Sequence, residues 1–198
     1  MKELNDIGAI ILAAGAGRRI GQPKWQLRYQ GKTFLDIIVA NLCESGINDI
    51  VCVVRSDSVP PKSNIIISIN PHPENGMFSS IFRGVQAIPR ASGYMIFPID
   101  HPLVTVETLK LLQENFLFDK NIAVSPIYAD CPGHPIIISS HIAHKITNSD
   151  FAGGLKSFLV QEKAKMKFLE VNDKGSVTNI NTYDAIEYLP SEERELFE

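Results

Sequence analysis

Cysteine is scarce in this sequence: Cys43, Cys52 and Cys131 are the 3 in 198 residues, and no CxxC pair occurs. An odd number at wide spacing argues against a disulfide framework and offers no zinc-ligand pattern. Long apolar runs are missing too, and none approaches the ~20 residues that span a bilayer. The opening MKELNDIGAIILAAG sets acids beside its lysine and runs into a glycine turn. That reads as a first strand rather than a secretory signal, so the expected setting is cytoplasmic, with no membrane partner. Charge of one sign is lacking: 19 Lys and Arg against 22 Asp and Glu give a net −3. Without a global basic field there is no case for nucleic acid, and any anionic ligand must be met by local cations. Repeats, low-complexity tracts and linkers are absent, and the length fits a single domain.

What is present is an alternation of short apolar runs with amphipathic segments. IGAIILAA, DIVCVVRS, NIIISIN, GYMIFPID and NIAVSPI read as strands, the first of them apolar on both faces. Between them KTFLDIIVANLCESG, SSIFRGVQAI and TVETLKLLQENFL carry helical spacing, the last with Thr105 as N-cap. Later, GHPIIISS and MKFLEVND read as strands; HIAHKIT, GGLKSFLVQEK and NTYDAIEYL read as helices. Regular alternation predicts an α/β fold, a doubly wound, mostly parallel, Rossmann-like sheet. Ligands in such sheets lie beyond the carboxyl ends of the strands, where the unusual residues of this chain also fall.

The first of these is the turn in ILAAGAGRRIGQPK, residues 11–24. A P-loop needs GxxxxGK[ST], and no Lys-Ser/Thr pair follows Gly21. A dinucleotide loop needs GxGxxG, whereas Gly15, Gly17 and Gly21 give GxGxxxG with basic residues in the gap. A loop that wraps a nucleoside triphosphate with amides and cations fits, as would a plain basic surface turn. Asp100 ends the apolar run YMIFPID, a poor place for a core carboxylate and a good one for Mg²⁺. Gly153 and Gly154 precede a predicted helix, a place where a phosphate can sit on free amides.

LAAGAGRRIGQPK resembles the LAAGxSxRMGxxK signature of the MobA/MocA-like nucleotidyltransferases. NGMFSSIFRGV (75–85), FPIDHPLVT, GHPIIIS, SDFAGGLKSFL and SVTNINTYDAIEYL are similar to further segments of the molybdenum cofactor cytidylyltransferase branch, in the same order. The resemblance spans about residues 8 to 189. It implies a single nucleotidyltransferase domain over 1–198: a nucleotide-binding half (1–100), an acceptor-binding half (101–190) and a charged tail (191–198). It implies transfer of a nucleoside monophosphate from CTP to molybdopterin cofactor, with Mg²⁺ as cofactor and a molybdoenzyme or its chaperone as a further partner.

Carried over by position, Arg19 and Lys24 are the phosphate-binding cations, and Ala13, Ala14, Gly15 and Gly17 are the loop around the nucleotide. Ser79 and Ser80 either read the base or cap the next helix. His134 faces the acceptor or is structural, and His101 stands beside the metal aspartate to orient it. Two departures stand out. The branch's DID is Asn179-Ile180-Asn181 here, so Asn181 either joins Asp100 at the metal or caps the closing helix. The branch's arginine after GD is missing, with Leu155 and Lys156 in its place. These departures keep two alternatives open: a sugar phosphate or other phosphorylated acceptor, and a non-catalytic nucleotide-binding protein of the same fold.

Overall fold

The structure, a computed structural model, describes residues 6–15, 17, 21–60, 64–116, 122–149 and 154–180. Its strands are β1 (Ile7–Leu12), β2 (Arg28–Tyr29), β3 (Lys32–Thr33), β4 (Ile50–Arg55), β5 (Ile66–Asn70), β6 (Gly93–Pro98), β7 (Ile122–Tyr128), β8 (Cys131–Pro132), β9 (Ile136–Ser139) and β10 (Lys165–Glu170). Its helices are α1 (Phe34–Glu44), α2 (Met77–Ala87), α3 (Val106–Glu114), α4 (Ser140–Thr147) and α5 (Leu155–Gln161).

The main sheet runs β10-β7-β9-β6-β1-β4-β5, with β8 added to β7. Pairing is parallel along β6-β1-β4-β5 and between β7 and β10; β9 lies antiparallel to both β6 and β7. Successive residues of a strand face opposite sides, so a sheet covered twice needs apolar residues at every position. β1 shows this directly. Ile11 packs with Phe34, Ile38 and Leu42 of α1 and Leu109 of α3. Ile10, its neighbour, packs on the other face with Ile81 of α2, Ile142 of α4 and Phe158 of α5. Phe78 and Phe158 meet edge to face at 5.2 Å on that second side.

Helix ends follow local chemistry. Thr33 opens α1 with a capping box: its hydroxyl accepts from the Asp36 N–H, and the Asp36 carboxylate accepts from the Thr33 N–H. Thr105 caps α3 as its position predicts. The start of α2 differs from expectation. The helix begins at Met77 with Gly76 as N-cap at φ +82°, so Ser79 and Ser80 lie inside its first turn rather than capping it. A glycine reaches that backbone conformation at no steric cost, and it starts the helix two residues early. The β2–β3 hairpin and β8 were not expected, because two-residue strands carry no periodicity to read. The predicted closing helix, with Asn181, lies outside the described residues. Among the described residues no helix is long and apolar enough to cross a membrane.

Candidate active site

Parallel pairing sets the carboxyl ends of β1, β4, β5 and β6 along one edge, and the loops that leave them converge there. The reversed direction of β9 brings its start, not its end, to the same edge, so Gly133 and His134 arrive beside the loop after β6. A cavity of about 700 Å³ opens between these loops. Ala14, Gly15 and Lys24 line it from the first loop, Asp100 and His101 from the loop after β6, and Ser80 from α2. His134, Gly154 and Asn179 complete its polar side; Ile136, Leu155, Leu159, Met166 and Phe168 make a long apolar wall.

At its centre the Lys24 ammonium donates to Asp100 Oδ2 at 2.8 Å, with side chains only 19% and 14% exposed. The two residues are 76 apart in sequence. Partial burial strengthens such a pair relative to one in open solvent. The chain also returns to Asp100 from its far end: the Ile180 N–H donates to the Asp100 carbonyl at 2.9 Å, which brings Asn179 to the cavity. Asn179 is therefore a described asparagine that lines the cavity with Asp100. Mg²⁺ binds with one or two protein carboxylates and completes its shell with phosphate oxygens and water. Asp100, with an amide oxygen from Asn179, suits such a shared site, and no cluster of three or more His, Cys, Asp or Glu suited to a metal occurs among the described residues.

The glycine loop is built for close approach. Gly17 sits at φ +58°, and a Cβ on it would lie 2.3 Å from the Gln22 carbonyl oxygen. The serine usual in the resembling family therefore does not fit this loop as it is folded. Gly15 lines both the main cavity and an adjoining recess that Gly17, Gly21, Arg55 and Asp57 share. In that recess the Arg55 guanidinium donates twice to the Asp57 carboxylate, at 3.0 and 3.1 Å. Ala13 stands apart from the other loop residues: it belongs to the core, and its N–H donates to the Val53 carbonyl. Arg19 and Gly153 lie outside the described residues, as do Arg18 and Asn181.

The two serines divide their work. Asn70, 1% exposed at the end of β5, donates to Ser79 Oγ at 2.8 Å and to Ser80 Oγ at 3.0 Å. Ser79 in turn donates to the carbonyls of His72 or Gly76 and so holds the 72–76 loop. Ser80 is the one that lines the cavity. Asn70 escaped the sequence reading because a single asparagine at a strand end carries no signal of what it holds.

His101 and His134 lie with ring centres 4.9 Å apart. Their Nδ1 atoms are buried without a hydrogen-bond partner, and His101 Nε2 stands 4.0 Å from Asp100 Oδ1. Burial pushes the His101 pKa down, opposed by the nearby Asp100 carboxylate and the Gly175 and Ser176 carbonyls. Burial, joined by neighbouring His101, pushes His134 down to about 4. His134 is thus neutral in the folded protein, while its unfolded form titrates near the ordinary ~6.5. The unfolded state binds the extra proton, so stability falls as pH drops from about 6.5 toward 4. We expect His134→Gln to lose a smaller share of its melting temperature between pH 7 and pH 4.5 than the parent; equal losses would count against this. Among the thiols, burial pushes Cys52 up to about 12, which removes it as a nucleophile.

A family model described as a MobA-like NTP transferase domain matches residues 9–166. The chain is 23% identical over 194 residues to "Nicotine blue oxidoreductase" of Paenarthrobacter nicotinovorans, covering 92% of this chain and 95% of that protein. It is 25% identical to "Probable molybdenum cofactor guanylyltransferase" of Natranaerobius thermophilus, covering 92% and 94%. It is 28% identical to "Molybdenum cofactor cytidylyltransferase" of Escherichia coli, covering 69% and 71%. A solved nucleotidyl transferase from Methanothermobacter has the same fold, at TM-score 0.78 and 19% identity, covering 91% of this chain and 94% of that one. With 158 of its residues matched, this chain belongs to the MobA-like NTP transferase family.

Proposed function

We propose that the protein transfers a cytidylyl group from CTP to the phosphate of a molybdopterin-type acceptor and releases pyrophosphate. The observation that carries this reading is the Lys24–Asp100 pair at 2.8 Å, facing the Ala14–Gly15 backbone across one cavity. In the reaction an acceptor phosphate oxygen bonds to the α-phosphorus and the bond to the bridging oxygen of the β-phosphate breaks. Such chemistry asks the protein for alignment and charge stabilisation rather than covalent participation. Lys24, with Arg19, neutralises the leaving pyrophosphate, and the loop amides cradle it. Asp100 and Asn179 would hold Mg²⁺, with Asn181 as a further ligand; that ion adds charge stabilisation at the phosphate oxygens. Ser80 and the loop that Ser79 holds would meet the base. The apolar wall and His134 would take the acceptor, with Gly153 and Gly154 at its phosphate. CTP is preferred on the similarity of residues 75–85 to the cytidylyltransferase branch, and a molybdoenzyme or its chaperone would receive the product.

A second reading is favoured by two observations: Asn179 stands beside Asp100 where the resembling enzymes carry an acid, and a relative aligned along nearly the whole chain is named an oxidoreductase. There the fold would bind a nucleotide without transferring it. One experiment separates the two. Each NTP is incubated with Mg²⁺, with and without molybdenum cofactor, and pyrophosphate is measured. Release with CTP that depends on the cofactor is the expected result. GTP-dependent release would correct the base, and release only with sugar phosphates the acceptor. CTP binding with no turnover for any acceptor would replace the first reading by the second.

A further inference from the structure

We propose that Asp173 is a positioning residue for this site: its buried carboxylate fixes the turn that returns residues 177–180 to Asp100. Its effect on metal binding rests on the functional reading above; the positioning itself does not.

Asp173 is 5% exposed. Its Oδ2 accepts from the Thr105 N–H at 2.9 Å, the Thr105 hydroxyl at 3.0 Å and the Thr108 hydroxyl at 2.7 Å, all at the start of α3. Its Oδ1 accepts from the Gly175 N–H at 2.9 Å. All four donors are uncharged, and the carboxylate lies at the N-terminus of α3, where the helix favours negative charge. Both carboxylate oxygens of Asp173 are used as acceptors.

That one group ties the start of α3 to the 173–176 turn, and the turn itself touches two further segments around the cavity. Gly175 packs so closely on the loop after β6 that a Cβ would lie 2.0 Å from the Leu103 carbonyl oxygen. Ser176 donates to the Asp173 carbonyl, and its own carbonyl accepts from the His134 N–H at 2.8 Å. Thr178 bonds back to the Lys174 carbonyl, and Ile180, fully buried, donates to the Asp100 carbonyl. The position of Asn179 is therefore inherited from the 173–176 turn.

The Asp173→Asn variant isolates the effect. Its amide keeps one oxygen, which the three donors on α3 will hold, and turns its NH₂ toward the Gly175 N–H, donor against donor. The helix cap survives and the turn loosens. Hydrogen exchange by NMR on the ligand-free protein should show the His134 and Ile180 amides exchanging roughly ten-fold faster, as expected for a lost hydrogen bond. The Ala13 amide, bonded to Val53 in the sheet, should not change. Thr108→Val, a milder variant that removes one donor from Oδ2, should shift the same two amides less. Unchanged His134 and Ile180 exchange, or equal acceleration at Ala13, would overturn the proposal. Binding of Mn²⁺ with CTP, followed by electron paramagnetic resonance, should weaken in Asp173→Asn while CTP affinity without metal holds. If the parent protein binds no Mn²⁺ with CTP, the functional reading fails and the exchange result still decides the role of Asp173.

Discussion

Asp100→Asn should lower cofactor-dependent pyrophosphate release by about a thousand-fold, the upper range for removing one preorganised charge-stabilising group. The substitution keeps size and shape and removes only charge. It leaves Lys24 without the carboxylate that holds it at 2.8 Å, and leaves the cavity with amides alone where Mg²⁺ would bind. Hard divalent cations need anionic oxygen, so the loss should fall on kcat and on the Mg²⁺ requirement. CTP should still bind, since the loop and Lys24 are intact. The check is a kcat determination beside a CTP titration at several Mg²⁺ concentrations. A kcat within ten-fold of the parent would mean that Asp100 does not serve the reaction.

Gly175→Ala should cost about 3 kcal/mol of stability, at the high end for forced overpacking. Gly8, Gly84 and Gly93 are crowded first by side chains, whereas Gly17, Gly133 and Gly175 are crowded by backbone. Gly84, for instance, faces the Ile10 side chain. Gly175 meets backbone: the new methyl would lie 2.0 Å from the Leu103 oxygen and 2.4 Å from its carbon. Relief requires the loop after β6 or the 173–176 turn to move, and both touch the site. Activity should fall with stability. Gly154→Ala is the control, because no described residue lies within 4 Å of a Cβ there and its φ is −76°. Denaturant unfolding of the two variants gives the comparison, and a loss below about 1 kcal/mol in Gly175→Ala would show that the turn yields cheaply.

The sheet and its helices were legible because their signals are local. Unbroken apolar runs such as Ile7–Leu12 and Ile50–Arg55 occur where both faces are covered, and Thr105 announces the start of α3. The glycine loop was legible for the same reason: spacing alone separates it from other phosphate loops. What escaped is long-range. No pattern in the chain pairs Lys24 with Asp100, sets His101 against His134, or hangs Ser79 and Ser80 from Asn70. Nor does any pattern show that a backbone bond from Ile180 to Asp100 brings Asn179 to the cavity. Asp173 closes the run MKFLEVND that reads as a strand; the strand ends at Glu170, and the buried Asp173 carboxylate instead holds the start of α3.

The reversed strand β9 also has a consequence for how the chain is made. β6 pairs with β1 on one side and waits for β9 on the other, and β9 begins some 38 residues after β6 ends, at Ile136. While the protein emerges from the ribosome, β5-β4-β1-β6 can assemble from the first hundred residues with the inner edge of β6 bare. That edge, Gly93 to Pro98, is strongly apolar and buried in the finished sheet. Unpaired strand edges of this kind are where chains associate wrongly. Substitutions that weaken β9 should therefore lower the soluble yield of newly synthesised protein by more than their effect on the melting temperature would suggest.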